Sequence, residues 1–113
     1  MAATQDALSL ASPARLRLYQ EVLARIEPMG PFREEIKETS IHLIRGVAFA
    51  GVHPRKQHVL VTIRSAKPIQ SARIARAGQV SKSRWHLDVK LAGSQEIDEE
   101  LLGWLRQAYE LSQ

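Results

Sequence analysis

The chain has 113 residues, 44% of them hydrophobic and 25% charged, with no cysteine; this suits one domain with a single modest core and excludes disulfides, cysteine nucleophiles and thiolate metal ligands. No run approaches the ~18 apolar residues that cross a bilayer, and the start "MAATQDALSL" lacks the basic and continuously apolar segments of a signal peptide, so a cytoplasmic protein without a membrane partner is expected. The net charge of +4 is uneven, with ten Lys/Arg against one acid in residues 41–92 and one against five in residues 93–113; such a middle either attracts polyanions or is neutralised by the acidic end folding beside it.

Residues 1–12 read as a tail or a short extra helix, ahead of a single α+β domain over 13–113. Ser12 followed by Pro13 has the form of an N-cap and first helical residue, and Leu16, Tyr19, Leu23 and Ile26 recur at helical spacing. This predicts a first helix over about 13–27, ended by Glu27-Pro28 because proline disfavours helical geometry in the residue before it. "REEIKETSIHLIR" alternates well enough for one or two strands. "VAFAGVH" and "QHVLVTIR" are rich in β-branched and aromatic residues and flank a turn at Pro54, Arg55 and Lys56, which predicts a basic hairpin.

Residues 65–83 hold few large apolar groups and are expected to form the longest loop, with at most a helical turn near "SARIARAG". In "RWHLDVKL" the alternation is unbroken: Trp85, Leu87, Val89 and Leu91 face one way, Arg84, His86, Asp88 and Lys90 the other. Asp98 then caps a final helix with Glu99 and Glu100 at the positive end of its dipole, Ile97 and Leu102 as a hydrophobic staple, and Leu101, Trp104, Leu105 and Ala108 as its buried stripe. The architecture expected is a helix at each end and an antiparallel sheet of about four strands between them, the C-terminal helix packed on the sheet.

No phosphate-binding glycine loop, His-Glu-x-x-His, Gly-x-Ser-x-Gly or EF-hand pattern occurs, so no catalytic residue is assigned and an enzyme is the least supported class. Four scattered histidines without cysteine predict no bound metal or other cofactor. His86 and Asp88, two apart on one strand, share a face, and His58 joins them if its strand is the neighbour. His42 and His53 read as structural histidines, and Trp85 and Trp104 as core residues rather than base-stacking platforms.

Phe49, Ala50 and Val52 leading into the basic hairpin of Arg55 and Lys56, then His86, then Asp98 heading a helix that ends in Ala108-Tyr109, resemble a bacterial family of small domains of unknown function across nearly all of the chain beyond about Leu16. Similar domains also occur attached to longer proteins of predicted nuclease type. The resemblance implies no catalytic residues and favours nucleic acid as a partner.

Two functions compete. In the first, a non-enzymatic binding module engages nucleic acid, another polyanion or an acidic protein through Arg55, Lys56, Arg64, Arg73, Arg76, Lys82 and Arg84, which supply affinity without sequence preference. In the second, the outward strand face around His58, Arg84, His86 and Asp88 lines a small-molecule pocket or a protein-interaction surface. A continuous basic face would favour the first, and a concavity with converging polar groups the second.

Overall fold

The Ser12 hydroxyl accepts the Arg15 backbone N–H at 3.3 Å and Pro13 takes the first position, so helix α1 begins where its cap demands, and it runs Pro13–Ile26. This and all that follows is taken from a computed structural model that describes residues 11–112; most of the expected N-terminal tail lies outside them. A 3-10 turn over Glu27–Met29 follows, as Glu27-Pro28 requires, and Gly30 redirects the chain at a φ of 137°. The buried face of α1 is Leu18, Tyr19, Val22 and Ile26. The apolar stripe predicted from spacing is thus rotated by part of a turn, with Leu16 and Leu23 at its half-buried margin.

Six strands follow: β1 (Arg33–Ile36), β2 (Ile41–Arg45), β3 (Val47–Pro54), β4 (Val59–Ser65), β5 (Ile74–Ser81) and β6 (Arg84–Leu91). They form one antiparallel sheet in the order β1-β2-β3-β4-β6-β5. The expected basic hairpin is β3–β4, closed by an Arg55 N–H to His58 carbonyl bond of 2.8 Å. The expected strand count of about four is corrected to six, because both edges carry strands. The larger correction is β5, which occupies the stretch expected to be loop. Its side chains are mostly exposed, so it has almost no apolar pattern; backbone pairing with β6 holds it in the sheet.

A second 3-10 turn, Ser94–Glu96, leads into helix α2, Glu99–Leu111. Asp98 caps α2 as expected, accepting from the Leu101 N–H at 3.1 Å, and the Leu101 N–H and Arg73 hold its carboxyl below the usual carboxylate range. Both helices lie on one face of the sheet, where Ile41, Leu43, Val52, Val61, Ile63, Val89 and Leu91 meet Val22, Ile26, Leu101, Leu105 and Ala108. Leu87, Val89, Leu91, Leu101 and Leu105 are all fully buried. Trp85 and Trp104 are only half-buried; the Arg73 guanidinium lies 5.9 Å from the centre of the Trp104 ring.

A register shift between Leu43 and Ile44 makes a bulge on β3. Leu43 pairs with Ala50 and Ile44 with Ala48, which leaves Phe49 as the extra residue and turns both Phe49 and Ala50 into the core. Phe49 there meets Phe32 and Tyr109 edge to face at 5.9 and 5.4 Å. Arg45 lies 4.1 Å over the Tyr109 ring and donates at 3.0 Å to its carbonyl, which also accepts the Ser112 N–H at 3.2 Å at the C-terminus of α2. No helix among the described residues is long and apolar enough to cross a membrane.

Candidate functional site

With the helices on one side, no described element covers the other side of the sheet, and alternation decides which side chains stand there. One row crosses all six strands in register: Glu35, His42, Gly51, Thr62, Asp88 and Arg76. A neighbouring row sets Arg64 opposite His86 and His86 opposite Gly78, and on the other side His53 faces Leu60 and Leu60 faces Lys90. The single-strand reading of Arg84, His86, Asp88 and Lys90 as one outward face holds, but their neighbours come from strands distant in sequence.

Two depressions indent this face. The first, about 320 Å³, is lined by His42, His53 and His86, by Thr62, Arg64 and Arg84, and by the β3 backbone from Ala48 to Gly51. The second, about 300 Å³, is lined by Thr62, Arg76, Gly78, Gln79, Val80, His86 and Asp88. Thr62 and His86 belong to both. Where the two meet, the Thr62 hydroxyl donates to Asp88 Oδ1 at 2.7 Å, which fixes the threonine and leaves the other carboxylate oxygen as an acceptor.

Of the three candidate pocket residues, His86 and Asp88 are brought together here, with Arg84 in the first depression. His58 sits apart, in the β3–β4 turn, with Lys90, Arg55 and Arg15 as its charged neighbours. Sequence reasoning missed His42 and His53. The usable signal was alternation within the hairpin: Ala50 and Val52 are buried, so Gly51 and His53 face the other way, opposite Thr62 and Leu60.

The seven basic residues considered for polyanion contact are dispersed. Arg64, Arg76 and Arg84 stand on the open face. Arg55 and Lys56 are exposed on the β3–β4 turn, and Lys82 is exposed on the β5–β6 turn at the opposite end of the sheet, because β4 and β6 are antiparallel. Arg73 is held on the helix side, donating to Asp98 at 2.7 Å, Glu100 at 3.2 Å and the Glu96 carbonyl at 2.6 Å. At Arg73 the acidic C-terminal segment does neutralise the basic middle. Arg55 and Lys56 also border a cavity of about 400 Å³ with Ser12, Arg15, Glu38 and Thr39, beside the point where the described chain begins.

Electrostatics sharpen the first depression. Burial, and then the neighbouring Arg55, hold His53 below the ordinary imidazole value, while Asp88 pulls it upward. Burial and then Arg84 do the same to His86, again opposed by Asp88. Both are neutral hydrogen-bonding groups near pH 7. Arg64 reaches Ser112 Oγ at 3.2 Å, whereas Arg84 has no ion-pair partner among the described residues and its Nε is buried without an acceptor. No group of three or more potential metal ligands among the described residues is placed to hold an ion.

A stability consequence follows. A histidine whose folded value lies below its unfolded value binds fewer protons folded than unfolded, so stability is complete above the unfolded value of about 6.5 and is lost as pH falls below it. Melting temperatures are expected to decline from pH 7 to pH 5, and the double variant His53→Gln/His86→Gln to show a shallower decline. Parallel pH profiles for the two proteins would contradict this assignment.

Residues 4–112 match the family described as Domain of unknown function (DUF5655). The chain belongs to that family. No curated protein and no solved structure matches it, so the case for a site in this DUF5655 domain rests on its own geometry.

Proposed function

We propose that this DUF5655 domain is a non-enzymatic binding module whose open sheet face takes a small anionic ligand, a carboxylate or phosphate compound, in the first depression. One observation carries the reading: His42, His53, His86, Arg64 and Arg84 line one depression, with His42 and His53 beside the bare backbone of Gly51, on a face that no described element covers. Cationic guanidinium groups and imidazole N–H groups around a concave floor are donors waiting for an oxyanion, and Arg84 has a guanidinium free to pair with one. An anion there also favours imidazolium over imidazole.

Titration with inorganic phosphate and with citrate at ~20 mM ionic strength, followed by amide chemical shifts, tests it. Shifts are expected to cluster at Gly51, Thr62 and His86, and affinity to tighten as pH falls from about 7.5 to about 6 while His53 and His86 begin to take up protons. Arg84→Gln is expected to weaken binding by about tenfold, the loss of one charge-assisted contact. Absence of saturable binding, or shifts confined to the turns, would defeat the proposal.

A second reading keeps the polyanion, favoured by the balance of the same face: Arg33, Arg64, Arg76, Arg84 and Lys90 against Glu35 and Asp88. Among polyanions, nucleic acid is the partner that the sequence resemblance favours. All six aromatic residues lie on the helix side of the sheet or pack with the core there, so nothing on the open face could stack on a base and contacts would be to phosphate alone. Affinity for duplex DNA is then expected to fall with salt at a log-log slope of about 0.9 per contact, with three to five contacts, and Arg76→Glu/Arg84→Glu to flatten the slope more than Arg55→Glu/Lys56→Glu. No retention of DNA at ~20 mM salt removes this reading.

A further inference from the structure

Two glycines stand mid-strand on the open face, one at the floor of each depression, and neither the backbone nor the packing asks for them. Neither has the positive φ that favours glycine. A Cβ at Gly51 would lie 3.4 Å from His53 Nε2 and 3.9 Å from both His42 Cδ2 and Thr62 Cβ, ordinary contact distances, and a Cβ at Gly78 would meet nothing within 4 Å. Glycine in a strand interior weakens the strand, so a bare position that the fold does not need points to close approach by something else.

The two floors are coupled. The depressions share Thr62 and His86; Gly51 on β3 and Gly78 on β5 are separated by β4 and β6 and by two residues along the strands, hence by about 16 Å. Arginines line both depressions, Arg64 and Arg84 the first and Arg76 the second. The middle is different, because Asp88 holds Thr62 there and presents a carboxylate that repels a third anionic group.

We infer that the two depressions form one groove for an elongated ligand that carries an anionic group at each end and an uncharged, hydrogen-bond-donating middle, lying flat across Gly51 and Gly78. This rests on the anion-binding reading and adds to it the ligand's length, its two-ended charge and the exclusion of a continuous polyanion by Asp88.

The experiment compares methylphosphonate with a series of α,ω-bisphosphonates of increasing spacer length, and with linear polyphosphate, by isothermal titration against the wild-type chain, Gly78→Val and Asp88→Asn. Effective concentration is greatest when the spacer matches the span, so affinity is expected to peak at a spacer of about 16 Å, roughly 10- to 100-fold tighter than methylphosphonate. Gly78→Val keeps or raises the melting temperature, leaves methylphosphonate binding at the Gly51 end unchanged, and removes the advantage of the long bisphosphonate. Asp88→Asn tightens polyphosphate selectively. Equal affinity for methylphosphonate and every bisphosphonate, or a Gly78→Val variant that still prefers the long one, overturns the two-ended groove while leaving the single anion site standing. If no phosphonate binds wild-type protein at all, the anion site itself is wrong and the groove goes with it.

Discussion

Replacing Phe49 by alanine is expected to cost about 3–5 kcal/mol. Phe49 is fully buried, is the extra residue of the β3 bulge, and is held edge to face by Phe32 on one side and Tyr109 on the other. Truncation removes the transfer energy of the ring, both aromatic contacts and the filling of a site whose walls come from three separate parts of the chain, so little collapse can compensate. A chain of this length has a total stability of roughly 6–17 kcal/mol. Urea denaturation should show a midpoint much reduced with an unchanged slope. A loss under about 1.5 kcal/mol would mean that the bulge does not direct Phe49 inward.

Substituting Gly30 by alanine is expected to cost about 3 kcal/mol, although the change adds one methyl group. The residue sits at a φ of 137° with ψ near −174°, a region almost closed to other residues, where strain alone is worth about 1–3 kcal/mol. The added Cβ would also fall on the Tyr109 hydroxyl, and that hydroxyl is tied by a 2.8 Å bond to the Pro31 carbonyl. Relief requires moving a ring that Phe49 and Arg45 pin from either side, so overpacking adds a cost of similar size. Tyr109→Phe in the alanine background should recover part of the loss, since it removes the atom the methyl group meets first. A melting temperature for Gly30→Ala within 2 °C of wild type, too small a shift for about 1 kcal/mol in a domain this size, would show that the turn at 30 adapts freely.

The two sets of residues, those that hold the fold and those proposed to bind, were unequally legible. Helix α1 with its Ser12 cap, helix α2 with its Asp98 cap, the β3–β4 hairpin and strand β6 were all readable, because capping and apolar periodicity are local signals. Strand β5 was not, because an edge strand with mostly exposed side chains needs no apolar alternation and is recruited by the free backbone groups of β6. The half-burial of Trp104 was likewise hidden, since periodicity shows which way a side chain points and not how far the neighbouring element extends over it.

The candidate site divides in the same way. That Arg84, His86 and Asp88 share one face follows from the two-residue period of a strand and needs no structure. That His42, Gly51 and Thr62 stand in register beside Asp88 does not, because register between strands is set by turns, bulges and the packing of the opposite face. Charge behaves similarly: composition put ten basic residues in the middle of the chain, but only the fold assigned Arg73 to the acidic end of α2, Lys82 and Arg55 to opposite ends of the sheet, and Arg64, Arg76 and Arg84 to one surface. The amino-acid order by itself thus determined both helices with their caps, the β3–β4 hairpin, strand β6 and the sign of the charge, all of which arise from interactions within a few residues. The tertiary structure alone decided which strands are neighbours, which face stays open and which polar groups converge there, because these depend on contacts between residues up to dozens of positions apart, whose free energy exists only once the sheet has closed.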